Sequence, residues 1–203
     1  MYFSKNMRKK LIKMIESKQY KIYELKLCVG VFIEDEDELK NIINKMFAAW
    51  RKIVCSRSRG YISHFDGILR RLFFEYSEAQ NAFNPYFHLI CVKKQDELSE
   101  DEEYKIRLDE EILRLTTYIK WLSAWVTALK MCTDVSVGFS VLDLEMLEKS
   151  LSKFCTNEKY SALAILDEAR KEILKRACGT HRLVSFHGIF SEKYMNRHVS
   201  VER

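Results

Sequence analysis

The hydrophobic pattern of residues 21–53 changes its period once, and this change restricts the possible folds more than any other feature. Residues 21–33 alternate apolar and polar positions, which is the pattern of a strand with one buried side. From Asp35 to Ile53 the apolar residues recur at helical spacing, and acidic residues crowd the first turn, where the helix dipole favours them. The sequence therefore predicts a strand followed by an amphipathic helix.

The chain continues to mix strands and helices. Residues 68–76 and 87–92 are rich in β-forming residues, and the Asn and Pro between them predict a long hairpin turn, so these two strands should be antiparallel. A helix is predicted over residues 112–131 and a strand over residues 135–142. Asp143 is then a suitable N-cap for another helix.

A last helix and strand complete the predicted order. The helix should end at Cys178-Gly179, because glycine readily adopts the conformations that terminate helices. The apolar residues of 183–190 predict a final strand or packing segment. We therefore expect an α+β fold with a central antiparallel sheet and helices packed on it. We divide the chain into a basic N-terminal arm, residues 1–20, and a single domain, residues 21–203.

Composition is that of one folded domain. The 203 residues are 47% hydrophobic and include one Pro and six Gly, which excludes collagen-like and disordered chains. The six Cys are widely spaced, without the CxxC pair of zinc or redox sites, and no stretch of about 18 apolar residues could span a bilayer. We expect a cytoplasmic protein with reduced thiols, no metal or other cofactor and no membrane partner.

Charge is unevenly distributed along the chain, whose net charge is +5. Residues 45–71 contain seven Lys or Arg and one Asp, whereas residues 95–111 contain nine acidic and two basic residues. The acidic segment is most simply a solvated loop. The basic segments allow a polyanionic partner.

Residues 67–92, GILRRLFFEYSEAQNAFNPYFHLICV, resemble the middle of the plasmid rolling-circle replication initiators (Rep proteins) of the HUH-endonuclease class. The matching residues are Gly67, Leu72, Tyr76, Pro85, Phe87 and His88. Segments similar to other parts of the family follow in its order, at residues 38–53, 118–131, 135–142 and 174–192. The resemblance covers nearly the whole chain and implies an HUH/Rep-like form of the α+β fold.

Members of this family cut one DNA strand at an origin. The resemblance implies that two histidines and an acid hold a divalent metal, which stabilises charge on the scissile phosphate, while a tyrosine on a later helix attacks that phosphate. In the family's His-Pro-His-hydrophobic-His motif, the present chain has Asn84 first, Tyr86 at one member of the metal-binding pair and His88 at the other. One histidine of the pair therefore remains.

The acid and the nucleophile are also replaced. Phe73 stands at the position of the family's acid, although Glu75 would share its face in a regular strand and could substitute. Phe154 stands at the position of the tyrosine, and phenylalanine has no oxygen with which to form a phosphotyrosyl bond. These changes together predict that nicking is lost.

A DNA-binding surface can persist after catalysis is lost, because binding to phosphates needs several dispersed cations rather than one exact arrangement of catalytic side chains. The candidate phosphate contacts lie in the arm, in the central basic segment and near the end: Lys9, Lys10, Arg51, Lys52, Arg57, Arg59, Arg70, Arg71 and Arg182. Tyr61 and Phe65 are candidates for stacking on exposed bases.

The sequence therefore predicts a nuclease-inactive DNA-binding protein derived from such an initiator. It would bind an origin-like hairpin or single-stranded DNA, as a regulator or as a subunit of a complex with another protein. Two alternatives stay open. The first is an active nickase, which would need Mg²⁺ or Mn²⁺ and Tyr86, Tyr118 or Tyr160 as nucleophile. The second is a protein-interaction module, which could bind its partner through the acidic residues 95–111 or through the surface that binds DNA in the family.

Overall fold

The computed structural model describes residues 20–55, 65–94, 119–130, 136–155 and 166–190, together with residues 9, 12 and 13. In chain order, the elements within these ranges are β1 (Tyr20–Cys28), α1 (Glu36–Cys55), β2 (Gly67–Ser77), β3 (Ala82–Lys94), α2 (residues 119–129), β4 (Ser136–Leu142), α3 (Leu144–Cys155), α4 (Glu168–Cys178) and β5 (Val184–Gly188). The predicted α+β class is confirmed.

The strands form one sheet in the order β4-β1-β3-β2-β5, and every neighbouring pair is antiparallel. The predicted antiparallel hairpin of β2 and β3 is therefore confirmed. Strands β1 and β2 are parallel to each other with β3 between them, and α1 connects them. Strands β3 and β4 are related in the same way through α2, so the sheet contains two split β-α-β units, as in ferredoxin-like folds.

Helices pack on both faces of the sheet. On the side that we call the three-helix face, a large hydrophobic cluster joins strand residues to α1, α2 and α4, and it includes Leu25, Leu89, Trp50, Trp125 and Leu174. On the other side, which we call the α3 face, a smaller cluster includes Ile22, Leu69, Ile90, Leu147 and Leu151. The α3 face is apolar where these residues meet α3, and it becomes polar further along β1 and β3.

The predicted helix ends are confirmed where the structure describes them. Asp143 caps α3, because its Oδ1 accepts a hydrogen bond of 2.7 Å from the backbone N–H of Met146. At the end of α4, Gly179 has φ 50° and its N–H donates to the carbonyl oxygens of Lys175 and Arg176. Short polar side chains and glycine therefore satisfy the backbone groups that helix termini leave open.

Two strand boundaries differ from the prediction. β1 ends at Cys28 rather than continuing to residue 33, and Ile33 instead makes an isolated bridge to Phe83, with N···O distances of 2.9 Å in both directions. Pro85, expected in the turn, lies inside β3. The backbone nitrogens of Pro85 and Phe83 point to the same edge of β3, the edge that pairs with β1. The pairing with β1 ends at Cys28, opposite Tyr86, so the N–H that Pro85 lacks interrupts no hydrogen bond between these strands.

No helix in the described ranges is long and apolar enough to cross a membrane. The three cysteines whose side chains are described, Cys28, Cys91 and Cys178, are free thiols.

Candidate functional site

The α3 face carries rows of polar and aromatic side chains across its middle strands. In one row the strand register places His88 of β3 between Lys26 of β1 and Arg71 of β2. In the next row Tyr86 lies opposite Phe73. Lys26 and Tyr86 are half-buried, whereas His88 is 1% exposed. His88 therefore lies under the surface, beside two partly accessible groups.

A third row pairs Glu75 of β2 with Asn84 of β3. Alternate residues of a strand share a face, so all five sequence-predicted site positions in these two strands lie on the α3 face. Glu75 is nevertheless separated from His88 by the intervening row of Tyr86 and Phe73. The expectation that Glu75 could serve as the acid beside His88 is wrong, because Glu75 lies four residues along β2 from Arg71, the partner of His88, and four strand residues span about 13 Å.

The acid beside His88 is Glu24, which the sequence analysis missed. Nε2 of His88 lies 2.5 Å from Oε1 of Glu24. This hydrogen bond lowers the pKa of Glu24 to about 2, against the opposing effect of burial. Strand alternation alone places Glu24 on the same face of β1 as Lys26, but its contact with His88 depends on the pairing of β1 with β3, which local patterns do not reveal.

The same carboxylate connects the sheet to α3. Oγ of Ser150 donates to Oε1 of Glu24 at 2.7 Å, and Oγ of Ser140 on β4 lies 3.5 Å from Oε2. Phe154 follows Ser150 by one helical turn in α3, and its side chain is outside the described part of the structure. The helix that carries Phe154 therefore packs on the α3 face, where Ser150 and His88 contact the same carboxylate.

The rings of Tyr86, Phe73 and His88 form a contiguous group on this face. The rings of Phe73 and Tyr86 stack with centroids 5.7 Å apart, and the rings of Phe73 and His88 are 5.4 Å apart. Burial, with the nearby charge of Glu75, raises the pKa of Tyr86 to about 12. Its phenol is therefore neutral at physiological pH, a state in which it is a weak nucleophile and a poor metal ligand.

The donors of this site do not fit the divalent metal that the family resemblance implies. His88 and Glu24 are two potential ligands, but each is engaged by the other. In the described ranges, no three His, Cys, Asp or Glu side chains form a group that could hold a metal ion. The arrangement suits a fixed, hydrogen-bonded surface better than metal-assisted attack on a phosphate.

Two predicted phosphate contacts are buried, which is a correction. Arg70 and Arg71 are consecutive in β2, so they lie on opposite faces rather than in one patch, and they are 2% and 4% exposed. The guanidinium of Arg71 lies 5.0 Å from the ring centre of Phe73. Phe65, expected to stack on bases, is also buried, and its ring packs against Tyr23 at 5.7 Å.

Other predicted contacts are accessible. Lys9, Arg51, Lys52 and Arg182 are exposed. Several predicted positions are outside the residues that the structure describes: Lys10, Arg57, Arg59, Tyr61, Tyr118, Tyr160 and the acidic residues 95–111.

Comparison of the chain with protein-family models, with curated proteins and with solved structures gives no match. Inferences about function therefore depend on the residues of this chain and on their placement.

Proposed function

We propose that this protein binds DNA and derives from a rolling-circle replication initiator whose nicking chemistry has been lost. The observation that carries the proposal is the placement of the residues that match the family's catalytic motifs. His88, Tyr86 and Phe73 lie in adjoining rows of the α3 face, and the helix that contains Phe154 packs on the same face through Ser150. A helix distant in sequence thus packs on the face of the β2–β3 hairpin that carries the other three positions, which supports the proposal.

The side chains at these positions support binding rather than cleavage. Phe73 and Phe154 carry no ionisable group, and His88 is hydrogen-bonded to Glu24. Among the described residues this site offers no third metal ligand and no ionised tyrosine, which metal-assisted and covalent attack on a phosphodiester would need. Loss of these groups leaves the ability to attract phosphates intact, because that ability depends on other cations.

Single-stranded DNA is the form that fits the α3 face best. The half-buried ring of Tyr86 can stack on an unpaired base, and Lys26, one row away, can contact the adjoining phosphate. Exposed aromatic rings on a sheet recognise splayed bases because every base has a π-face. An origin-like hairpin would offer such bases in its loop.

The test is a titration of a labelled hairpin and a labelled single strand, each at two salt concentrations. Binding should weaken as salt increases, because bound cations release counterions from the DNA. The substitutions Tyr86→Ala and Lys26→Ala should weaken binding of the single strand by about tenfold each. Lys40→Ala, which removes an exposed lysine of α1, is the control and should have little effect. Undetectable binding at low salt would contradict the proposal.

The loss of nicking has a separate test. Incubation with Mn²⁺ or Mg²⁺ and an origin-type hairpin should give no covalent protein–DNA adduct. An adduct that disappears in Tyr86→Phe, Tyr118→Phe or Tyr160→Phe would instead identify an active nickase and its nucleophile.

A further inference from the structure

A cluster of guanidinium and imidazole groups lies on the three-helix face, at the edge formed by β2 and β5. Its centre is Arg70, which is 2% exposed. Nε of Arg70 donates to Oγ of Ser185 at 3.0 Å, and Nη2 donates to the carbonyl oxygen of Arg182 at 2.9 Å. The guanidinium also lies over three rings, with distances of 4.7 Å to Phe47, 5.3 Å to Trp50 and 4.5 Å to Phe87.

Two histidines border the same rings. His181 stacks on Phe47 with centroids 4.1 Å apart, and its Nε2 lies 2.6 Å from Oδ1 of Asn44. The ring of His187 lies 5.7 Å from that of Trp50. Arg51 of α1 and Arg182 are exposed around this group. The cluster therefore has a buried cation at its centre and accessible cations at its rim.

The cluster has an excess of positive charge. Burial and Arg182 lower the pKa of Arg70 to about 9, so this side chain is still charged at neutral pH. Burial, followed by the neighbouring arginines, lowers the pKa of both His181 and His187. Among the described residues, no carboxylate forms an ion pair with Arg70, and its side-chain hydrogen bonds go to Ser185 and to the carbonyl oxygen of Arg182.

Two buried nitrogens of the cluster lack a hydrogen-bond partner among the described residues, and one of them belongs to the charged Arg70. Within the described ranges, neither Nη1 of Arg70 nor Nε2 of His187 has a hydrogen-bond partner. A buried donor without a partner costs free energy, and a buried charge without a counter-charge costs more. The aromatic rings around Arg70 offset part of this cost, but they provide no hydrogen-bond acceptor for Nη1.

We propose that this cluster binds a phosphate group, which Arg51, His181 and Arg182 contact from the rim and for which Arg70 supplies the buried positive charge. Guanidinium groups suit phosphate because their paired N–H donors match its oxygens. The site goes beyond DNA binding on the α3 face, since it lies on the opposite side of the sheet. The phosphate could belong to the end of a nucleic-acid strand or be free in solution.

The experiment uses the full chain and inorganic phosphate. At constant ionic strength, with chloride as the reference ion, phosphate should raise the melting temperature, because a ligand that binds only the folded state stabilises it. The double variant Arg51→Ala/Arg182→Ala should lose this increase. The matched control, Lys40→Ala/Lys45→Ala, removes two exposed charges of α1 and should keep it. Phosphate should also raise the pKa values of His181 and His187, measured by NMR.

Two oligonucleotides of one sequence, with 5′-phosphate or 5′-hydroxyl ends, distinguish the sources. Tighter binding of the phosphorylated strand, lost in the double variant, would assign the site to strand ends. Equal binding of both, together with the effect of inorganic phosphate, would assign it to free phosphate.

The proposal is overturned if phosphate acts no differently from chloride, or if the double variant responds like the control. Variants at Lys26 and Tyr86 test the α3 face separately, so the two proposals can fail independently.

Discussion

Glu24 and His88 join two neighbouring strands through a contact of 2.5 Å between Oε1 and Nε2, and Ser150 of α3 donates to the same oxygen. One carboxylate thus connects β1, β3 and α3. Removing its charge should affect the stability of the whole α3 face, whatever the protein binds there.

We expect Glu24→Gln to destabilise the folded chain by about 1–3 kcal/mol, because hydrogen bonds to a charged acceptor contribute more than neutral ones. Urea unfolding followed by circular dichroism measures the change. Glu78→Gln, at an exposed residue of the β2–β3 turn, is the control and should change stability by less than about 0.5 kcal/mol. Equal effects of the two substitutions would show that the contact with His88 contributes nothing.

The pH dependence of stability should report the same group. The pKa of Glu24 is lower in the folded chain, at about 2, than its ordinary value of 4.5. Its stabilising contribution is therefore present above pH 4.5 and is lost as the pH falls from 4.5 towards about 2. Urea unfolding of the wild type and Glu24→Gln across this range should give curves that converge in acid. A difference that stays constant with pH would contradict the assignment.

Ser150→Ala should loosen α3 from the sheet. The lost hydrogen bond to Glu24 should cost about 1 kcal/mol and should speed amide hydrogen exchange in α3 more than in α1. Ser140→Ala is the matched comparison, because its Oγ lies 3.5 Å from the same carboxylate and should contribute less. A larger effect at Ser140 would argue against Ser150 as the link.

Arg70→Lys should destabilise the chain by about 1–3 kcal/mol even though charge is preserved. A lysine cannot keep both hydrogen bonds to β5 and its neighbouring loop, and it lacks the planar group that lies over Phe47 and Phe87. Arg51→Lys, at an exposed position of α1, should be nearly neutral. Thermal unfolding of the two variants makes the comparison, and a neutral Arg70→Lys would mean that charge alone matters at this position.

Gly188 and Gly138 provide a pair of substitutions with opposite expectations. Gly188 has φ +60°, and a Cβ atom there would lie 2.0 Å from the carbonyl oxygen of Asp66. Gly188→Ala should therefore destabilise by more than about 2 kcal/mol, because neither backbone can move without loss of pairing between β2 and β5. At Gly138 the nearest atom would be Cβ of Lys26 at 3.5 Å, an ordinary contact. Gly138→Ala should be tolerated, as judged by melting temperature.

The sequence predicted the order of the described strands and helices well, because their hydrophobic periodicities differ and two helix ends carry capping residues. Asp143 and Gly179 mark helix ends through local hydrogen bonds, which depend on neighbouring residues alone. The position of Pro85 inside β3 was not predictable in this way, since it depends on where β1 ends. Local patterns specify the elements but not which strand borders which.

The candidate site was predicted only in part for the same reason. Alternation correctly groups Tyr86 with His88 on one face, because both belong to β3. Glu24 comes from a strand distant in sequence, so its role becomes visible only once the register of β1 and β3 is known. The burial of Arg70 likewise depends on Phe47 and Trp50 of α1, whose contact with β2 no local pattern encodes.

The two adjacent arginines of β2 have a consequence for folding specificity. Arg70 points into an aromatic environment on one side of the sheet, and Arg71 lies over Phe73 on the other. A slip of β2 by one residue against β3 would exchange every side chain between the two faces and would bring apolar neighbours such as Leu69 and Leu72 to the wrong layer. The aromatic partners of Arg70 belong to α1 and β3, so such a slip would separate its guanidinium from Phe47, Trp50 and Phe87. Arg70 thereby discriminates against misaligned strands.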